Sequence, residues 1–384
     1  MKHLKVLNRY FYFISILILT GSYGNALFAK GFDFKTGFQA QECEDILKLN
    51  FAFLDTLQSR EFQNFQDGYT FLARTRAVGL DNVADLWIRH DSCIVLMLRG
   101  TTAQMTSVLE DFYCAMVPAR GTIRLSKGQT FPYQLATDPR AAVHAGFLIG
   151  FAYLAQELRP QIDSLVQAGF QKVIIGGHSQ GGALCYYFSS WLLQLKRAGI
   201  YPGLSVKTYA SAAPKMGNMY FAYDYDNATK AEWSYSIINT YDPVPEMPFT
   251  TQQVDIDMNE PNPILNLMTR FDELPFLKRI FLKNAFNKMK SKAQKSSEAY
   301  QKYLGKYVGS FIHESLPDMQ LPEAVPTTYF VRPGVPIILS VNDAYEAYYT
   351  GAPKYFHHGI DPYRFLLRQY YSGLPAFIPM VKEP

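Results

Sequence analysis

Apolar positions at Ile46, Leu47, Leu49, Phe51, Phe53, Leu54 and Leu57 follow helical spacing, so residues 43–58 are predicted to form an amphipathic helix. The pattern then shortens. Leu86–Ile88 and Ile94–Leu98 are apolar runs separated by a short, mostly polar stretch, as in two neighbouring strands. The second run is apolar throughout, which suits a strand buried on both faces. Residues 146–168 predict a helix that bends or restarts at Pro160, where a backbone N–H is missing. Val173–Ile175 is a short β-branched run, and a glycine-rich segment leads from it into a helical pattern over 181–198 that stops at Gly199. Val206–Ala210, Ser236–Tyr241 and Val335–Val341 read as further strands. Strands alternating with helices imply a mostly parallel sheet flanked by helices on both faces. The expected fold class is α/β, in one domain carrying an insertion.

The junction after Val173–Ile175 carries the strongest chemical signal. Gly177-His178-Ser179-Gln180-Gly181 is a G-x-S-x-G motif lying between a buried strand and a helix. A sharp strand-to-helix turn leaves the serine hydroxyl exposed at the helix N-terminus, and only residues without Cβ fit two places before and after it. Ser179 is therefore the candidate nucleophile.

A serine hydroxyl needs a base, and the base needs an orienting carboxylate. In this architecture the chain order is Ser, then Asp or Glu, then His. His313, His357 and His358 lie beyond Ser179. His313 sits in the inserted segment away from any strand end, which leaves His357 and His358. Spacing alone does not separate them. For the acid, Asp242 follows the strand pattern 236–241, and functional residues of open α/β sheets gather at carboxyl ends of strands. Asp224, Asp226, Asp255 and Asp257 compete by order, but none follows a strand. An oxyanion binder is also required, each donor contributing about 10²–10³ in rate. The N–H of Gln180 is one donor, and the loop Arg99-Gly100-Thr101-Thr102 after the strand 94–98 is placed to supply another. Arg99 itself reads as an ion-pair residue.

Composition sharpens this picture in two places. The first thirty residues have a basic start, a short apolar run from Tyr10 to Leu19 and then small residues, which suits an export signal over 1–29 with cleavage after Ala26 or Ala29. The protein is then expected to be exported, either secreted or periplasmic. Residues 274–307 carry nine Lys/Arg against the single Glu298, within a chain whose net charge is only +4. Charge so concentrated does not suit a nucleic-acid binder. Apolar residues recur there at Leu282, Phe286, Met289, Ala293, Tyr300, Tyr303 or Leu304, and Tyr307, predicting a basic amphipathic helix. Such a helix either touches a membrane or lipid-droplet surface transiently or packs on the core with its lysines in water. Cys43, Cys93, Cys114 and Cys185 show no ligand spacing; three disulfide pairings are open to them, and no metal site is indicated.

RGTT at 99–102, VHAGF at 143–147, GHSQGGA at 177–183, YDPVPEMP at 241–248 and HGIDPY at 358–363 occur in an order that resembles the class 3 (fungal-type) lipase family of the α/β-hydrolases. The resemblance implies a catalytic Asp242 in the D-x-V-P element. It favours His358 over His357, because Asp and Tyr follow at +3 and +5. It also implies Thr101 in the oxyanion hole and a structural role for His144. Asp242 and His358 stand 116 residues apart, so a helical insertion over about 258–330 precedes the last catalytic residue. Residues 103–140 are longer than a simple helical lid. The expected function is an exported serine ester hydrolase cleaving acyl-glycerol-type esters, with no metal or organic cofactor. A phospholipase A1, a short-chain carboxylesterase and a non-catalytic lipid-surface binding protein are the alternatives.

Overall fold

The structure, a computed structural model, describes residues 33–54 and 68–380. The expected export signal and the end of the helix 43–58 lie outside the described residues. Apolar runs with no polar face must sit inside a covered sheet, and they do. The central sheet contains β1 (Tyr69–Arg74), β2 (Ala84–Arg89), β3 (Cys93–Leu98), β4 (Lys172–His178), β5 (Ser205–Ser211), β6 (Ser234–Asn239) and β7 (Val335–Leu339) in that spatial order. β1, β2 and β3 pair antiparallel, and every later neighbour pairs parallel. All six residues of β3 are buried.

The two faces are covered by different helices. Side chains on successive strand residues point to opposite sides. A Cβ on Gly176 would meet Ile46 of the Ala40–Leu49 helix, whereas one on Gly177 would meet the start of the Gln180–Arg197 helix. The latter packs against Ala145–Gln167, and Ala40–Leu49 packs against Ile360–Tyr370. Ala145–Gln167 runs as one element with Pro160 inside it and does not restart. Pro160 and Gln156 are both exposed, so the carbonyl released by the missing N–H faces water. The described residues from Phe34 onward form one compact unit.

Beneath the sheet the Glu42 carboxylate lies 2.5 Å from Arg89 and 2.7 Å from Lys207, and it accepts a 2.6 Å hydrogen bond from Tyr209. Both cations are almost wholly buried. Glu42→Ala leaves them short of their shared counter-charge and is expected to cost about 3–5 kcal/mol in urea unfolding; a loss below about 1 kcal/mol would contradict this.

Between β6 and β7 lie the helices Pro263–Arg270, Phe276–Tyr300 and Val308–Ser315, the last two joined by a π-helical turn at Gln301–Tyr307. The long basic helix divides along its length. Its second half packs on the core: Ser297 accepts hydrogen bonds from Gln253 and Thr328, and the Tyr300 ring meets Phe249 edge-on at 4.7 Å. Its first half is exposed, so Leu282 and Met289 face water and do not join the packed stripe. After β3 comes a helix, Met105–Phe112, followed by a hairpin of Arg120–Ser126 with Gln129–Gln134. All four cysteines are buried and free.

Candidate active site

β4 ends at His178, and Ser179 turns the chain at φ 61°, ψ −127° into the helix beginning at Gln180. A positive φ in a non-glycine residue is strained, and the surroundings must enforce it. They do so by close approach. A Cβ on Gly181 would lie 2.1 Å from the Leu98 carbonyl oxygen, and one on Gly177 would lie 2.4 Å from that of Gly181. The Ser179 N–H is held by the Ser211 carbonyl at 3.0 Å.

His358 ends a short 3-10 turn, Lys354–His358, just before the Ile360–Tyr370 helix. Its Nε2 lies 2.8 Å from Ser179 Oγ, and its Nδ1 lies 2.8 Å from Asp242 Oδ2. Asp242 sits three residues past β6 and is 4% exposed. The same Oδ2 accepts from Tyr363 at 2.6 Å, while Oδ1 accepts from the Val244 N–H at 2.9 Å. Burial works to raise the Asp242 carboxyl, but these donors, His358 foremost, hold it below the usual carboxylate range. A carboxylate that stays ionised fixes Nδ1 as the protonated nitrogen and leaves Nε2 free to accept from Ser179.

Two strand-end side chains pin the backbone beneath the imidazole. Asn239 Nδ2 donates to the His357 carbonyl at 3.0 Å, and His178 Nε2 lies 2.6 Å from the His358 carbonyl. Burial, aided by His358, pushes His178 down to about 3, so its ring is neutral. A carbonyl only accepts, hence Nε2 carries the proton and Nδ1 faces the Ser211 hydroxyl at 2.9 Å.

Leu98 pairs with Gly177 in the sheet, so the loop after β3 emerges beside the serine. Thr101 and Gln180 line one cavity of about 1240 Å³ together with Ser179 and His358. Its walls are mainly apolar, including Phe51, Phe112, Val244, Met247, Leu304 and Phe356. Thr101 Oγ1 donates to Asp111 at 2.8 Å, which orients the threonine. Ser107 joins the loop after β3 to Gln180. Its Oγ accepts from the Thr102 N–H at 3.1 Å and donates to Gln180 Oε1 at 3.3 Å.

The sequence profile of the class 3 lipase family matches residues 95–252, which contain the Thr101 loop, Ser179 and Asp242. Over this segment, less than half of its length, the chain is similar to the class 3 lipases. No curated protein matches it. Among solved structures, the triacylglyceride lipase of Rhizomucor miehei is similar at 16% identity and a TM-score of 0.43, over 56% of this chain and 77% of that one. A triacylglycerol lipase from Penicillium expansum is similar at 18% and 0.40, over 58% and 77%. The lipase of Rhizopus microsporus var. chinensis is similar at 19% and 0.39, over 56% and 71%.

The remaining sequence candidates lie elsewhere. His357 Nδ1 contacts Tyr345 at 2.7 Å, and His313 is exposed on the insertion. Asp224 pairs with Arg197, Asp226 accepts from Gly334, Asp255 pairs with Lys290, and Asp257 binds Thr327 and Gln253. His144 is wholly buried, stacked on Phe147 and pushed by burial down to about 3. Arg99 pairs with Asp81 at 3.0 Å. Sequence reasoning did not single out Ser107, Asp111 or Asn239. Tyr363 was visible only as the last residue of HGIDPY.

Two expected outcomes arise here. Ser107→Ala unlinks the Thr102 loop from Gln180 and should lower kcat about tenfold while leaving KM nearly unchanged. Steady-state kinetics on a soluble ester tests it, and an unchanged kcat would remove Ser107 from the oxyanion support. The second concerns Asp111. Burial pushes its carboxyl up to about 7, against the Thr101 hydrogen bond and the charge of His358. An unfolded aspartate titrates near about 4, so between about pH 4 and 7 the folded state binds the extra proton, and stability falls as pH rises. Asp111→Asn should flatten the decline of Tm across that window; a slope equal to that of the parent protein contradicts the assignment.

Proposed function

We propose that this chain is a class 3 lipase, a serine ester hydrolase acting on acyl-glycerol-type lipids. The observation that carries this reading is the relay Ser179–His358–Asp242, with both links at 2.8 Å, opening into a large apolar cavity. Ser179 Oγ attacks the ester carbonyl carbon as its proton passes to His358 Nε2. The N–H groups of Thr101 and Gln180 receive the negative oxygen, at the start of a helix whose dipole favours it. When the tetrahedral adduct collapses, His358 returns the proton to the departing alcohol. Water, activated by the same imidazole, then releases the acid and restores Ser179. Asp242 keeps the imidazole in the required tautomer throughout. The apolar walls suit an acyl chain, whose transfer from water is favourable along its length. Export through residues 1–29 belongs to the same proposal.

Labelling with a fluorophosphonate, followed by peptide mapping, tests the chemistry. A single adduct on Ser179 is expected. Absence of an adduct on the folded chain overturns the proposal in favour of a non-catalytic lipid-surface binding protein. Acid release from tributyrin, triolein, phosphatidylcholine and p-nitrophenyl acetate then tests the substrate class. Preference for phosphatidylcholine identifies a phospholipase A1, and preference for the acetate a short-chain carboxylesterase.

A further inference from the structure

The exposed first half of the Phe276–Tyr300 helix is not explained by ester chemistry. Phe276, Leu277 and Phe281 are 63%, 79% and 71% exposed, and Ile280 beside them is 41% exposed. Helical spacing gathers these four on one side of the first two turns. Lys288, Lys292 and Lys295 continue the same side, all exposed and with no carboxylate partner among the described residues. Of the nearby acids, Asp272 is engaged with Lys283 and Asp255 with Lys290, while Glu298 on the same helix accepts from Gln294 at 2.9 Å. Large apolar side chains at a helix tip, with a row of unpaired ammonium groups behind them, complement the acyl boundary and the phosphates of an anionic membrane. A two-fold pairing with a second copy along this whole face would instead set the lysine row against either the partner's lysine row or its apolar tip.

We propose that Phe276–Lys295 is an anchor for anionic lipid bilayers, with Phe276, Leu277 and Phe281 entering the headgroup–acyl boundary and Lys288, Lys292 and Lys295 lying against lipid phosphates. The helix continues to Leu304 in the cavity wall, roughly 35 Å from Phe281 at about 1.5 Å per residue. Anchoring is therefore separable from bond cleavage, and it holds whether or not Ser179 is a nucleophile.

The test uses the full chain carrying Ser179→Ala, which spares the lipid, and vesicle sedimentation. The chain is expected to bind phosphatidylcholine vesicles containing about a third phosphatidylglycerol, to ignore pure phosphatidylcholine, and to be released by salt. Adding Leu277→Ser with Phe281→Ser, or Lys288→Glu with Lys292→Glu and Lys295→Glu, should each weaken binding at least about tenfold. With Ser179 intact, both sets should retain hydrolysis of soluble p-nitrophenyl butyrate, which reports that they fold. Equal binding to neutral and anionic vesicles overturns the proposal, as does undiminished binding by either set. So does a concentration-dependent dimer that Leu277→Ser with Phe281→Ser dissociates.

Discussion

Ser179→Ala is expected to lower kcat on p-nitrophenyl butyrate by about 10⁴–10⁶-fold, because nothing else in the site can form the covalent intermediate. The residual rate comes from the Thr101 and Gln180 donors and from substrate binding. Stability should not fall. Ser179 holds a strained φ of 61°, its hydroxyl bonds to no group but His358 among the described residues, and its N–H contact with Ser211 survives the change. An unchanged Tm beside a lost rate is the expected pair of results. More than about a hundredth of the parental rate in the variant would remove Ser179 from the mechanism.

Asp242→Asn is expected to cost about 10⁴ in kcat, through the tautomer and not through geometry. The asparagine has one acceptor and one donor in place of two acceptors. The Val244 N–H, 2.9 Å from Oδ1, claims the carbonyl oxygen and so directs the amide NH₂ at His358 Nδ1. An imidazole facing that donor must carry its proton on Nε2, where it can no longer accept from Ser179. Tyr363 can turn its hydroxyl to accept from the amide, so the fold should tolerate the change. A loss of less than tenfold would show that another group orients the base. Far-UV circular dichroism beside the kinetics separates this from unfolding.

The parts of this protein visible in its sequence are those where local chemistry and long-range position coincide. The elbow announces itself because glycines must flank a strained serine, and β3 and β4 because strands buried on both faces leave no polar alternation. Asp242 was legible from its place after a strand. His358 was not separable from His357 by spacing, since both end the same 3-10 turn; the distinction is made by which ring reaches Ser179. Ser107 and Asn239 gave no signal, because each acts through a partner distant in the chain that only the folded sheet brings near, and Asp111 gave none because no periodicity or motif links it to Thr101 ten residues before it. The Glu42–Arg89–Lys207 cluster was equally hidden, spread over a helix and two strands that carry ordinary charges in sequence. On the insertion, helical spacing predicted a single apolar stripe, but only the half that tertiary contacts reach is packed.

Burial shields every thiol in the chain. It drives Cys43 and Cys185 well above the ordinary thiol range and Cys114 up to about 12, so thiolate, the reactive form, is scarce. None of the four is bridged, so a reductant has no cross-link among them to remove. Dithiothreitol and alkylating reagents should leave the native protein untouched.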